Sequence, residues 1–144
     1  MKNLILLFFL LISLNTFSQS EKFIGEYQLS SSYSINDDVL TRTLNINSDN
    51  TFSFHQHQNS KGLLSKKNKY GKGTWTSKEN YIYLHTQESD ITDNYTINLN
   101  NSKAVFKNKH PRDKSNKIIV PLLLFIKTDL FWMERVKLDK KQPL

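Results

Sequence analysis

The sequence predicts an all-β protein, an antiparallel up-and-down β-barrel of eight or nine short strands. Three observations predict it. Short apolar runs alternate with polar residues and are separated by turn-forming clusters. No segment carries three turns of apolar residues at helical spacing. The runs also follow one another as consecutive hairpins, and closing such a meander removes its sticky edges.

The chain has 144 residues, which suits one domain. Residues 1–20 read as a secretory signal peptide. Lys2 supplies the positive start, Leu4 to Leu14 is an apolar run broken only by Ser13, and small residues follow at Ser18 and Ser20. The run is too short to span a bilayer, which takes about 20 apolar residues. The expectation is therefore export, periplasmic or secreted, with residues 21–144 forming a single domain that has no stable membrane insertion after cleavage. The chain has no cysteine, so disulfides, thiol catalysis and cysteine–zinc sites are excluded.

Within the domain, Phe23 to Leu29 opens as a strand with Tyr27 and Leu29 on one face. Ser30 to Asp38 is turn-rich, with Asn36, Asp37 and Asp38 at the reversal. The stretch from Val39 to about Gln58 is the organising hairpin, and parity fixes its register. Pairing Ile46 with Phe52 and Leu44 with Phe54 puts all four side chains on one face. That leaves an odd loop, Ser48 to Asn50 when it is three residues long, which needs a left-handed residue near its end. Asn50 is the best non-glycine choice. Asn59 to Asn68 is a polar loop holding Leu63 and Leu64.

A second hairpin joins Gly73–Thr76 to Tyr81–Leu84 through Ser77–Asn80, with Trp75 opposite Ile82 and Gly73 opposite Leu84. Tyr81, Tyr83 and His85 then face the other way. The glycine marks a bend or a close approach. A third hairpin pairs Tyr95–Leu99 with a return strand from Ala104, turning at Asn100–Lys103. Lys107 to Lys117 is a loop. Ile118 to Ile126 reads as a strand with a bulge or edge at Pro121. Leu130 to Val136 reads as the last strand, and the charged tail from Leu138 as frayed.

Gly25-Glu26-Tyr27, Leu44-x-Ile46 with Asp49-Asn50-Thr51-Phe52, and Gly73-Thr74-Trp75 with Tyr81-x-Tyr83-Leu84 resemble the lipocalin-like (calycin-type) domains of small exported bacterial proteins. In that pattern a Trp stands where this chain has Tyr27, and a Gly where it has Asn50. The resemblance implies a ligand-binding or envelope role, not catalysis, and a basic residue of the last strand laid across the opening aromatic. Arg135 is the candidate for that position over Tyr27.

The chemistry legible in the residues is that of binding. Tyr27, Phe52, Phe54, Trp75 and Leu84 are the candidate ligand-binding residues, for a small apolar ligand inside the barrel. With Phe106, Phe125 and Trp132, these aromatics either line a cavity or fill the barrel solid. The formal charge is +7, and basic residues cluster between Lys61 and Lys78 and between Lys103 and Lys117. Read as loops, these clusters are either solvated or a rim for an anionic envelope component. Nucleic acid is not expected, because the lysines are read in loops and the aromatics face inward. His55-x-His57 projects both imidazoles outward from one strand, with His85 as a third ligand only if its strand lies nearby, so metal binding through these surface histidines is a second alternative function. No metal site and no cofactor is assigned. Asp37-Asp38 and Glu88-x-Asp90-x-x-Asp93 read as acids of solvated turns. The chain lacks a Gly-x-Ser-x-Gly elbow, a phosphate loop and a His-Glu-x-x-His, so no catalytic residues and no enzyme activity are expected.

Overall fold

In the computed structural model the described residues are 20–33, 38–59 and 67–142. The signal-peptide segment up to residue 19, the reversal at Asn36 and Asp37, Leu63 and Leu64, and Lys61 and Lys66 lie outside them. The strands are β1 (Gly25–Tyr33), β2 (Asp38–Ile46), β3 (Thr51–Asn59), β4 (Lys67–Lys78), β5 (Tyr81–His85), β6 (Ser102–Lys107), β7 (Leu122–Lys127) and β8 (Lys137–Lys140). Each pairs antiparallel with the next, and β8 returns to β1 to close an up-and-down barrel. Among the described residues no helix is long and apolar enough to cross a membrane.

The β2–β3 hairpin forms in the register that parity dictates, Leu44 opposite Phe54 and Ile46 opposite Phe52. The Asn47 amide donates to the Thr51 carbonyl at 3.0 Å, which leaves the three-residue loop. Asn50 is left-handed, φ 64°. Asp49 secures the turn by accepting from the Thr51 amide at 3.0 Å and its hydroxyl at 2.6 Å, and these bonds hold its carboxyl below the usual carboxylate range. Asn50→Gly is therefore expected to be neutral or mildly stabilising in thermal melts. Asn50→Val is expected to cost on the order of 1–2 kcal/mol, because a branched Cβ clashes in that region.

The barrel's antiparallel order places the β2–β3 and β4–β5 turns and the β6–β7 connection at one end. Phe23, at the end of a short 3-10 turn over Glu21–Phe23, plugs this end. Its ring lies 6.1 Å from Trp75 and 5.5 Å from Phe106. The Tyr27 hydroxyl donates to its carbonyl at 2.7 Å. Above the plug, Tyr27, Leu44, Ile46, Phe52, Phe54, Ile82, Leu84, Leu123, Phe125 and Leu138 form one continuous buried core.

The first strand begins at Gly25 rather than Phe23 and continues through residues 30–33, expected as turn, and Asp38, expected in the reversal, already belongs to β2. Four further sequence expectations change. The second hairpin slips by two residues: Trp75 faces Leu84 and Ser77 faces Ile82, around a two-residue Glu79-Asn80 turn with Glu79 at φ 56°. An even slip preserves the faces, so Ile82 and Leu84 stay buried. The third hairpin does not form, because β6 pairs with β5 instead. Tyr95 bridges Tyr70 in parallel, and the segment buries Ile97 and Leu99 by running beside β4 rather than by hairpin pairing.

The apolar run before Pro121 is not strand. Ile118, Ile119 and Val120 are exposed, and β7 begins after the proline. Pro121 supplies its carbonyl to Lys140 at 2.7 Å, a role that needs no N–H. The expected last strand at Leu130–Val136 is a 3-10 turn, Phe131–Met133, followed by Arg135 at φ 62°. The true last strand lies in the tail that reads as frayed. Leu138 is fully buried there, and Lys141 pairs with Glu26 at 2.6 Å.

Candidate functional site

The other end of the barrel carries the β5–β6 and β7–β8 connections, and here the inner wall changes character. On β3 the inward row runs Phe52, Phe54, Gln56, Gln58, the same parity turning from aromatic to amide. Arg42 stands opposite Gln56 and Leu40 opposite Gln58 on β2. Lys69 stands opposite Gln56 on β4. With Val39 and Trp132 these residues line a cup of about 280 Å³ at the mouth.

Trp132 is brought there by the 3-10 turn between β7 and β8. Its ring lies 6.2 Å from Phe54, so the buried core supports the cup directly. The Arg42 guanidinium lies 4.8 Å from the Trp132 ring centre, and its Nε donates to Gln56 Oε1 at 3.1 Å. An aromatic face and an amide thus hold the arginine in place. Among the described residues the lining contains two cations and no carboxylate. The cup therefore offers an apolar wall from Val39, Leu40 and Trp132, hydrogen-bonding amides, and two basic groups.

The residues expected to hold a ligand are placed lower. Tyr27, Phe52, Phe54, Trp75 and Leu84 are all at most 2% exposed and belong to the packed core, and none lines the cup. Phe54 alone reaches it, through Trp132. Trp75 lies near the plugged end, its indole N–H donating to the Asn47 carbonyl at 3.0 Å. Parity alone places Arg42, Gln56 and Gln58 on the inward rows, whereas Trp132 reaches the cup only through the 3-10 turn.

The basic residue across the opening aromatic is Lys140, not Arg135. Its ammonium lies 5.7 Å from the Tyr27 ring centre and donates to the Lys22 carbonyl at 3.0 Å. Arg135 is exposed in the left-handed turn one residue before β8's own flank. The reason is the shifted last strand: with β8 at Lys137–Lys140, Lys140 is the residue registered against Tyr27. Burial lowers the Lys140 pKa and raises that of the Tyr27 phenol, each favouring the neutral form.

The first basic cluster is not a loop throughout. Lys67, Lys69, Lys72 and Lys78 sit on β4, and Lys72 lies 4.7 Å from the Tyr95 ring centre. On the outer face Lys103 lies 4.0 Å and 5.3 Å from the Tyr81 and Tyr83 ring centres. Lys127 stands opposite it across the β6–β7 ladder. His85 is hydrogen-bonded to Thr76 at 3.0 Å. Among the described residues no three His, Cys, Asp or Glu side chains converge as a metal site. Asp90 closes a 3-10 turn over Glu88–Asp90 by accepting from the Gln87 amide at 2.9 Å. The chain matches no family model, and no curated protein or solved structure is significantly similar to it, so its function has to be sought in the geometry of the barrel itself.

Proposed function

We propose that this is an exported, non-enzymatic binding module of lipocalin type, whose ligand is a small molecule with an apolar body and a polar or anionic end. The observation that carries this is the cup: a concave site at the mouth of a closed barrel, where Arg42 lies against Trp132 beside Leu40 on β2 and Lys69 stands across Gln56 on β4. Ligand sites are characteristically apolar concavities with a few placed polar groups, often in barrel mouths. Lys140 over the opening aromatic adds to the likeness to lipocalins. The ligand sits above the core and does not replace it, because the lower barrel is already filled by Tyr27, Phe52 and Phe54.

A matched pair of fluorescent probes, one with a carboxylate and one with an alcohol on the same short alkyl chain, tests this. Wild type is expected to bind the carboxylate probe saturably and to quench through Trp132, so Trp132→Phe abolishes the signal change. Lys69→Glu is expected to weaken the carboxylate probe roughly two- to fivefold, the scale of an exposed charge contact, and to leave the alcohol unchanged. A folded wild-type protein that binds neither probe refutes the cup as a ligand site.

A second reading has its own observation. On the outer face Lys103 and Lys127 stand directly opposite each other, an unfavourable like-charge pair, beside Tyr83 in a depression of about 340 Å³. An anionic envelope component laid there would relieve that repulsion. Binding of an anionic polymer that falls steeply with salt, and is lost in the double variant Lys103→Glu, Lys127→Glu, would favour this face over the cup.

A further inference from the structure

The outer face of β3 carries a feature that neither the cup nor the basic face uses. His55 and His57 are two residues apart on one strand and so project to the same side. Across the ladder, Asn68 of β4 stands opposite His57 and Tyr70 opposite His55. The two imidazoles aim at one point: His55 Nε2 and His57 Nδ1 each lie 2.9 Å from the same Asn68 Oδ1. The rings are 6.3 Å apart, centre to centre. His55 is fixed in this orientation by stacking on Tyr70, 4.6 Å between centres and 6° between planes. Tyr70 is in turn buttressed edge-on by Tyr95 at 6.2 Å. The His55 rotamer is thus held by packing and that of His57 by its hydrogen bond with Asn68, so an ion has little to organise on arrival.

We infer that His55, His57 and Asn68 form a binding site for a divalent late transition-metal ion, with the two imidazole nitrogens as its principal ligands and the Asn68 amide oxygen as a third. Imidazole donors suit copper, zinc and nickel, and the stability order places copper(II) ahead of the other two. His85 takes no part, being bonded to Thr76 on β4. No other histidine and no carboxylate joins the pair among the described residues. Water therefore completes the coordination, and the bound ion keeps exchangeable positions, the arrangement of an open rather than a structural site. The fold does not depend on it, since the barrel core lies on the opposite face of β3. Loading requires each imidazole to carry its proton on the ring nitrogen away from Asn68, because the nitrogen that binds the ion must present a lone pair.

The test uses the tag-free mature chain titrated with copper(II) and with zinc(II), by calorimetry and, for copper, electron paramagnetic resonance. One copper(II) per chain is expected, with nitrogen hyperfine structure from imidazole, and zinc(II) binding at the same site more weakly. His55→Phe keeps the stack on Tyr70 but removes the ligand, and His57→Gln removes the other. Each is expected to weaken copper(II) by more than about tenfold, beyond what loss of an outer-shell partner typically costs at minimum. Asn68→Asp is expected to tighten binding by placing a carboxylate at the point where both nitrogens aim. His85→Gln is expected to change nothing. Absence of binding to the folded wild type, or an affinity that survives in His55→Phe or His57→Gln, overturns the site. An Asn68→Asp variant with unaltered affinity removes Asn68 from the ligand set.

Discussion

Phe54→Ala is expected to lower stability by roughly 3–5 kcal/mol, the cost of deleting a fully buried ring and leaving a cavity. For a domain of this size that is a fall in Tm on the order of 10–20 °C. Phe54 is 1% exposed, faces Leu44 across β2–β3 and packs against Trp132. The last contact gives the substitution a second consequence. Trp132 forms one wall of the cup and rests on Phe54, so removing the ring deepens the cup from below. A longer alkyl probe should then gain affinity relative to a short one, while both proteins remain folded at low temperature. Urea unfolding measures the first effect and probe titration the second. A stability loss without any change in chain-length preference would mean that the core and the cup are not coupled through Trp132.

The barrel was legible because its inner faces obey a period of two. Leu44, Ile46, Phe52 and Phe54 fix the first hairpin by parity alone, and Asn50 is the residue its turn requires. Where the reading failed, local chemistry was ambiguous. A two-residue turn at Glu79-Asn80 puts a glutamate at φ 56°, a position that sequence patterns assign to Gly, Asn or Asp. The longer loop therefore looked better by propensity. At the C-terminus, Leu130 to Val136 has the apolar content of a strand, yet Phe131 is 87% exposed and Met133 fully buried within one 3-10 turn. The strand that closes the barrel has one buried apolar residue, Leu138, between Lys137 and Asp139. A single leucine in a charged tail carries almost no periodic signal, although closure of the barrel depends on it.

The cup was half legible for a related reason. Aromatic residues announce an interior, and on β3 that signal ends at Phe54. The same parity carries on to Gln56 and Gln58, and on the partner strand to Arg42. Polar residues that continue an inward row past the aromatic layer mark the height at which a barrel opens to water. Trp132 could be named as an aromatic candidate, but its place at the mouth depends on the β7–β8 turn, which the sequence disguises as strand. The convergence of His55 and His57 on Asn68 was only partly readable. The two histidines share a face by spacing, but the cross-strand register that brings Asn68 between them follows a β3–β4 connection outside the described residues.

Among the described glycines, Gly73→Ala is expected to be the most damaging single-methyl change. Gly73 faces Phe52 across the β3–β4 ladder. A Cβ added there would fall deep inside contact distance of the His85 carbonyl oxygen and 2.9 Å from Phe52 Cε1. One obstacle is backbone at the end of β5 and the other a packed core ring, so neither can yield cheaply. The cost should exceed about 3 kcal/mol, above the usual 1–3 kcal/mol of overpacking. Gly71→Ala provides the comparison. Its Cβ would lie 2.9 Å from the Ile97 carbonyl oxygen and 3.2 Å from the Ile97 Cβ. Ile97 belongs to the extended segment that joins β4 by the bridge at Tyr95, which can move outward more easily than the paired end of β5. Its cost should stay within the usual 1–3 kcal/mol. Urea denaturation of both variants beside wild type reads the difference. If Gly73→Ala is no less stable than Gly71→Ala, the close approach of β5 to β4 at His85 is not the constraint that makes glycine necessary there.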